Sequence, residues 1–130
     1  MKKERANAML LMSARIGDIK ITEKALRKGA DVNAVDEDGR TVLMLASGNE
    51  YDNIVKMLIG AGADVNAVDK NGWTVLMWTS FHGYDNIVEL LIEKGADVNT
   101  KDNNFWTVLT VASKYGNKKI IKLLKSHGAK

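Results

Sequence analysis

A chain of 130 residues with 45% hydrophobic and 27% charged residues is long enough for one folded domain, too short for two ordinary ones, and too apolar for a disordered tail. It has no cysteine, which excludes a disulfide framework, a thiolate metal site and a cysteine nucleophile, and fits a reducing compartment such as the cytoplasm. The net charge of +3 hides a division: residues 1–30 hold eight Lys/Arg against three acids, 31–113 hold five against thirteen, and 114–130 hold six lysines and no acid, a layout unlike the continuous basic face that nucleic acid requires.

The chain opens with MKKERANAMLLMSAR. Lysines before an apolar run imitate a secretory leader, but AMLLM is too short, Arg15 interrupts, and no small-residue cleavage site follows, so an ordinary first helix is expected. No segment reaches the length of a membrane span. At residue 29 comes GADVNAVD, which returns at 62–69 and, as GADVNTKD, at 95–102; a further copy stops as GAK at 128–130. The interval is 33 residues, and other columns keep the same step: Leu10, Leu43, Leu76 and Leu109; Ala14, Ser47, Ser80 and Ser113; Ile21, Ile54, Ile87 and Ile120; Thr41, Thr74 and Thr107. Agreement across so many columns marks a tandem repeat.

Each row predicts the same elements in order. RTVLMLAS, WTVLMWTS and WTVLTVAS read as short helices whose threonine is the N-cap, its hydroxyl accepting from a free backbone N–H. After a polar break, DNIVKMLIGAG, DNIVELLIEKG and NKKIIKLLKSHG read as second helices begun by Asp52, Asp85 or Asn117 and closed by a glycine suited to a left-handed C-cap. The Asp/Asn/Gly-rich segment that follows is turn chemistry. Helices this short cannot bury their apolar faces singly, so neighbouring rows are expected to stack. The lysines of the last helix, Lys118, Lys119, Lys122 and Lys125, and the cluster Lys20, Lys24, Arg27 and Lys28 then face water.

The 33-residue period, G-A-D-V-N, the D-x-x-G turn and the threonine-led helix together closely resemble the ankyrin repeat. The resemblance covers nearly the whole chain and divides one domain into an N-terminal capping unit at 1–33, repeats at 34–66 and 67–99, and a C-terminal capping repeat at 100–130. It implies an all-α solenoid of stacked helix-turn-helix units with projecting hairpin-like loops. The family's usual T-P-L-H is TVLM at Thr41–Met44 and Thr74–Met77, and TVLT at Thr107–Thr110. Phe105 replaces the turn glycine present as Gly39 and Gly72, and a third loop tip rebuilt around Asn103 and Asn104 is expected.

The resemblance also implies a binding face made of loop tips and first helices. Matched position by position, the contact residues are Arg40, Leu45 and Asn49 in the first full repeat, with Glu37, Asp38 and Gly48 beside them. The next repeat contributes Lys70, Asn71, Trp73, Trp78, Phe81 and His82. The last contributes Asn104, Trp106, Val111, Lys114 and Tyr115, with Asn103 adjoining. Five of the eight aromatic residues fall in this set, and aromatic side chains dominate interface hot spots. A large ring following the turn, as at Trp73 and Trp106, can equally lie across the neighbouring loop.

Catalytic patterns are missing from the sequence. His82 and His127 lie in different rows without an i, i+4 partner, the glycines lack phosphate-loop spacing, and the recurring Asp31, Asp64 and Asp97 follow the repeat as structural residues do. The reading is therefore a non-enzymatic module without cofactor, binding a protein partner and not nucleic acid or membrane, monomeric with self-association open. The alternative is a stable or engineered scaffold with no natural ligand, which the absence of proline and the near-identical words favour.

Overall fold

A computed structural model describes residues 1–115 and 117–130. Among them are α-helices and three isolated antiparallel bridges, gathered into two compact units at 1–64 and 65–130. The first unit contains α1 (Lys2–Ile16), α2 (Ile19–Arg27), α3 (Val42–Gly48) and α4 (Asp52–Gly60). Here α1 packs on α2 and α3, and α4 on α3 and α2, so two helix pairs lie side by side. Leu10, Ala14, Ala25, Leu43, Ile54, Val55 and Leu58 close the core. The second unit repeats the scheme with α5 (Val75–His82), α6 (Asp85–Glu93), α7 (Val108–Lys114) and α8 (Lys118–Ser126) around Leu76, Met77, Ile87, Leu91, Ile120 and Leu124. Apart from α1, the helices are of nine residues or fewer, too short to persist alone in water. Each fully buried Leu or Ile contributes about 1.5–3 kcal/mol, so packing between helices, not intrinsic propensity, makes them form.

The helix ends follow from side chains. Thr41, Thr74 and Thr107 accept from the N–H of Met44, Met77 and Thr110 at 3.1, 3.2 and 3.1 Å. In α3 the cap is reciprocal: the Met44 thioether accepts from the Thr41 N–H at 3.5 Å. Asn117 caps α8, whereas α4 and α6 start at Asp52 and Asp85, acids placed favourably against the helix dipole. At the far end of α2, Gly29 takes φ +90° while Ala30 N–H bonds the Ala25 carbonyl at 3.0 Å, a left-handed termination that recurs in the later rows.

Asparagines of the repeated word join successive rows. In the first unit, Asn7 Oδ1 accepts from Asp31 N–H at 2.7 Å and Asn33 Oδ1 from Asp64 N–H at 2.8 Å. In the second, Asn66 Oδ1 accepts from Asp97 N–H at 2.7 Å and Asn99 Oδ1 from Lys130 N–H at 3.0 Å.

The loops correct one expectation. Val35, Val68 and Lys101 bridge to Thr41, Thr74 and Thr107, and all three tips close by the same bonds, including Asp102 N–H to the Trp106 carbonyl at 2.8 Å and Phe105 N–H to the Asp102 carbonyl at 3.0 Å. The third tip is therefore not rebuilt around Asn103 and Asn104. Phe105 itself adopts φ +66°, beside +73° at Gly39 and +78° at Gly72. Phe105 is 81% exposed, so the substitution meets only the backbone penalty, about 1–2 kcal/mol, which the bonding shared by the three turns overrides.

Candidate functional site

The site begins with the aspartate that opens each turn. Asp69 Oδ1 accepts from the N–H of Asn71 and Trp73 at 2.9 and 3.0 Å; Asp102 Oδ1 accepts from Asn104 and Trp106 at 2.8 and 2.9 Å. This leaves Oδ2 of each buried carboxylate in need of a donor, because an unmatched buried charge is costly. Tryptophan supplies it. Trp78 Nε1 donates to Asp69 at 3.0 Å, and Trp73 Nε1 reaches into the following loop to donate to Asp102 at 2.8 Å. The two loops meet directly as well, with Asn103 N–H on the Asn71 carbonyl and Asn103 Nδ2 on the Lys70 carbonyl. A Cβ at Gly72 would lie 2.7 Å from Asn103 Oδ1, so that approach requires glycine.

Held at their N–H ends, the indoles lead into a continuous run of rings. Trp73 lies 4.7 Å from Trp78 and 5.9 Å from Phe81, centroid to centroid, and Phe81 meets Tyr115 edge-on at 4.4 Å. His82 meets Phe81 edge-on at 5.0 Å and is stacked between Trp78 and Tyr84 at 6.3 and 5.2 Å. These tilted and edge-on arrangements are the favourable ones for aromatic pairs. Trp73, Trp78 and Phe81 are half-buried, whereas His82 and Tyr115 are exposed. A second pair stands nearby in sequence: the Lys114 ammonium lies over Trp106, 5.9 Å from its centroid, within cation–π range.

Of the residues expected to make contact, the second unit thus brings together Trp73, Trp78, Phe81, His82 and Tyr115, and pairs Trp106 with Lys114. Lys70, Asn71 and Asn104 are exposed at the tips. Two expectations are corrected. Val111 has no exposed surface and Leu45 only 9%, so both belong to the core; their short branched side chains are covered where Trp78, in the same column, extends outward. In the first unit Asn49 is exposed, with Nδ2 donating to the Leu45 carbonyl at 2.9 Å. Arg40 is committed to its own turn, with Nε 2.9 Å from Asp36 and Nη2 3.3 Å from Asp38.

Arg15 also reaches Asp36, at 3.2 Å, so guanidinium groups do in this turn what indoles do in the later ones. Burial would raise the Asp36 carboxyl, but N–H bonds from Arg40 and Asp38 and the Arg40 guanidinium outweigh it and hold the group below the usual range. Asp36 is thus occupied within the turn, while Glu37 and Asp38 stay exposed beside it. Exposed apolar residues that the sequence reading did not name include Met12, 46% exposed, and Ile16, 58% exposed. The signal was available, since Met12 shares the 33-residue column of Trp78 and Ile16 that of His82 and Tyr115.

Among the described residues no helix is long and apolar enough to cross a membrane, and no group of three or more His, Cys, Asp or Glu is placed to hold a metal. The family profile for ankyrin repeats in three copies matches residues 8–102 and 53–130. Two Rickettsia felis proteins, RF_p14 and RF_pd14, whose names describe them as ankyrin repeat proteins, are each 35% identical over 54 residues. That stretch is 42% of this chain and 86% and 82% of theirs. Eight helices among the described residues, threonine-capped turns recurring every 33 residues and the profile match agree: the chain belongs to the all-α ankyrin repeat family, whose members are typically non-enzymatic and generally mediate protein–protein interaction.

Proposed function

We propose that this chain is a non-enzymatic protein-binding module whose partner docks on α5, α7 and the loop tips of the second unit, over Trp73, Trp78, Phe81, His82 and Tyr115. The observation that carries the reading is the unbroken ring run from Trp73 to Tyr115, half-buried at one end and exposed at the other. Rings packed against one another are pre-positioned, so a partner meets a large apolar surface with little side-chain entropy left to lose. Trp106, Lys114, Lys70, Asn71 and Asn104 form the polar border, a usual arrangement around an aromatic hot spot. The rows at 1–33, 34–66, 67–99 and 100–130 serve as the repeating units of a monomer, working in a reducing compartment such as the cytoplasm.

The test separates contact from fold. Phe81 makes no hydrogen bond through its side chain, so Phe81→Ala is expected to weaken capture of a partner isolated with the wild-type chain by about 2 kcal/mol or more, roughly thirtyfold in Kd. Tyr115→Ala should lose less. Unchanged affinity in the Phe81→Ala, Tyr115→Ala double variant, with circular dichroism intact, would remove the face from consideration.

A further inference from the structure

We infer that the segment received by this face is an acidic peptide carrying large apolar side chains; the inference rests on the binding face proposed above and adds the chemistry of its occupant. It is carried by the distribution of charge within the second unit. Helix α5 has no Lys, Arg, Asp or Glu, and α7 has only Lys114. The tips that precede them add Lys70 and Lys101, both exposed, together with Asp69 and Asp102. Those two acids are 7% and 8% exposed, and both oxygens of each carboxylate already accept from backbone and indole N–H groups. The charge that α5, α7 and the tips before them offer to a partner is therefore positive. The unit's other acids, Asp85, Glu89, Glu93 and Asp97, lie on α6 or just after it.

Two further observations define the ligand. The Lys114 ammonium is held over Trp106, so one cation is pre-placed beside an aromatic surface where a carboxylate and an apolar group could be met together. Phe105 stands 81% exposed at φ +66° where the matching positions in the other loops are glycine. A strained backbone carrying an exposed ring is a cost that binding an apolar group would repay. Single-stranded nucleic acid is a poorer fit. Base stacking needs a row of open ring faces, and Trp73, Trp78 and Phe81 turn edges and faces onto one another. Residues 65–130 also contain no arginine, the side chain best suited to phosphate.

The test is selection of a random dodecapeptide phage library on the full chain. Enriched peptides are expected to carry net negative charge and at least a pair of large apolar residues. The combined charge reversal Lys70→Glu, Lys101→Glu, Lys114→Glu should weaken them about tenfold or more, with affinity falling as salt rises. The control reversal Lys118→Glu, Lys122→Glu, Lys125→Glu on α8 should leave them unchanged. Phe105→Gly should weaken binding while raising the thermal midpoint, a pairing that simple unfolding cannot produce. Neutral or basic peptides that still depend on Phe81 would overturn the charge assignment and leave the binding face standing. Peptides indifferent to both Phe81→Ala and the lysine reversal, or no enriched peptide at all, would overturn both. An oligo-dT strand that binds more tightly than the best peptide and is released by the lysine reversal would replace the acidic peptide with nucleic acid.

Discussion

Ser47 and Ser80 show how a repeat can carry a local cost. Ser47 in α3 and Ser80 in α5 are fully buried, and their hydroxyls have no hydrogen-bond partner among the described residues. Ala14, in the same column, is equally buried and has no hydroxyl to satisfy. Burying an unmatched hydroxyl costs about 1–3 kcal/mol, so Ser47→Ala and Ser80→Ala are each expected to raise stability by about 1 kcal/mol in chemical denaturation. A loss of stability in both would show that the hydroxyls are satisfied. Glu50 is a second such case. It follows α3 at φ +58°, where the corresponding Gly17 and Gly83 take +81° and +78°. Glu50→Gly should relieve the left-handed strain and add about 1 kcal/mol, measured the same way. At Gly17 the opposite change fails twice over, since φ is positive and a Cβ would lie 2.9 Å from the Tyr51 ring.

At the scale of loops and helices, the turn aspartate organises each unit. Asp102 receives two backbone N–H groups and the Trp73 indole, which links one turn to the preceding one. Asp102→Ala leaves these donors without an acceptor and should cost about 2–3 kcal/mol. It should also free Trp73, so its emission should move to the red before global unfolding; unchanged fluorescence would mean that the indole is held by ring packing alone. The word D-x-x-G was legible as a turn, and the threonine as a cap. What was not legible is which donor answers the second carboxylate oxygen. It is Arg15 and Arg40 at Asp36, Trp78 at Asp69 and Trp73 at Asp102, partners from different sequence separations that only folding brings into range. Hence Trp73 and Trp78, legible as contact candidates, turn out to support the loops as well.

For the molecule as a whole, these carboxylates shape the response to acid. Asp36 in the first unit is held below its ordinary range, with burial opposing and the Arg40 and Asp38 N–H groups and the Arg40 guanidinium prevailing. Asp85 in the second is lowered chiefly by the Lys119 ammonium 3.1 Å away. A depressed folded value means that the stabilisation is fully present above the unfolded carboxylate value near pH 4 and is lost as pH falls through the lower folded value. Unfolding midpoints should therefore drop below about pH 4, and Asp36→Asn should flatten that decline while lowering stability at neutral pH. A parallel decline in wild type and variant would exclude Asp36 as a contributor. The Asp85 pair is solvent-exposed and contributes little by comparison.

The period, the helix pairs, the caps at Thr41, Thr74 and Thr107, and the left-handed glycines were legible along the chain before any folding was considered. All of these depend on residues close together in the chain and are repeated often enough to rise above chance. Tertiary structure alone decided that Val111 and Leu45 are core while Met12 and Ile16 are exposed, because burial depends on what lies across from a side chain and not on its own column. It also decided that Phe105 accepts a positive φ. The hydrogen bonds of the closed turn hold that backbone, and their combined strength exceeds the local preference of one residue.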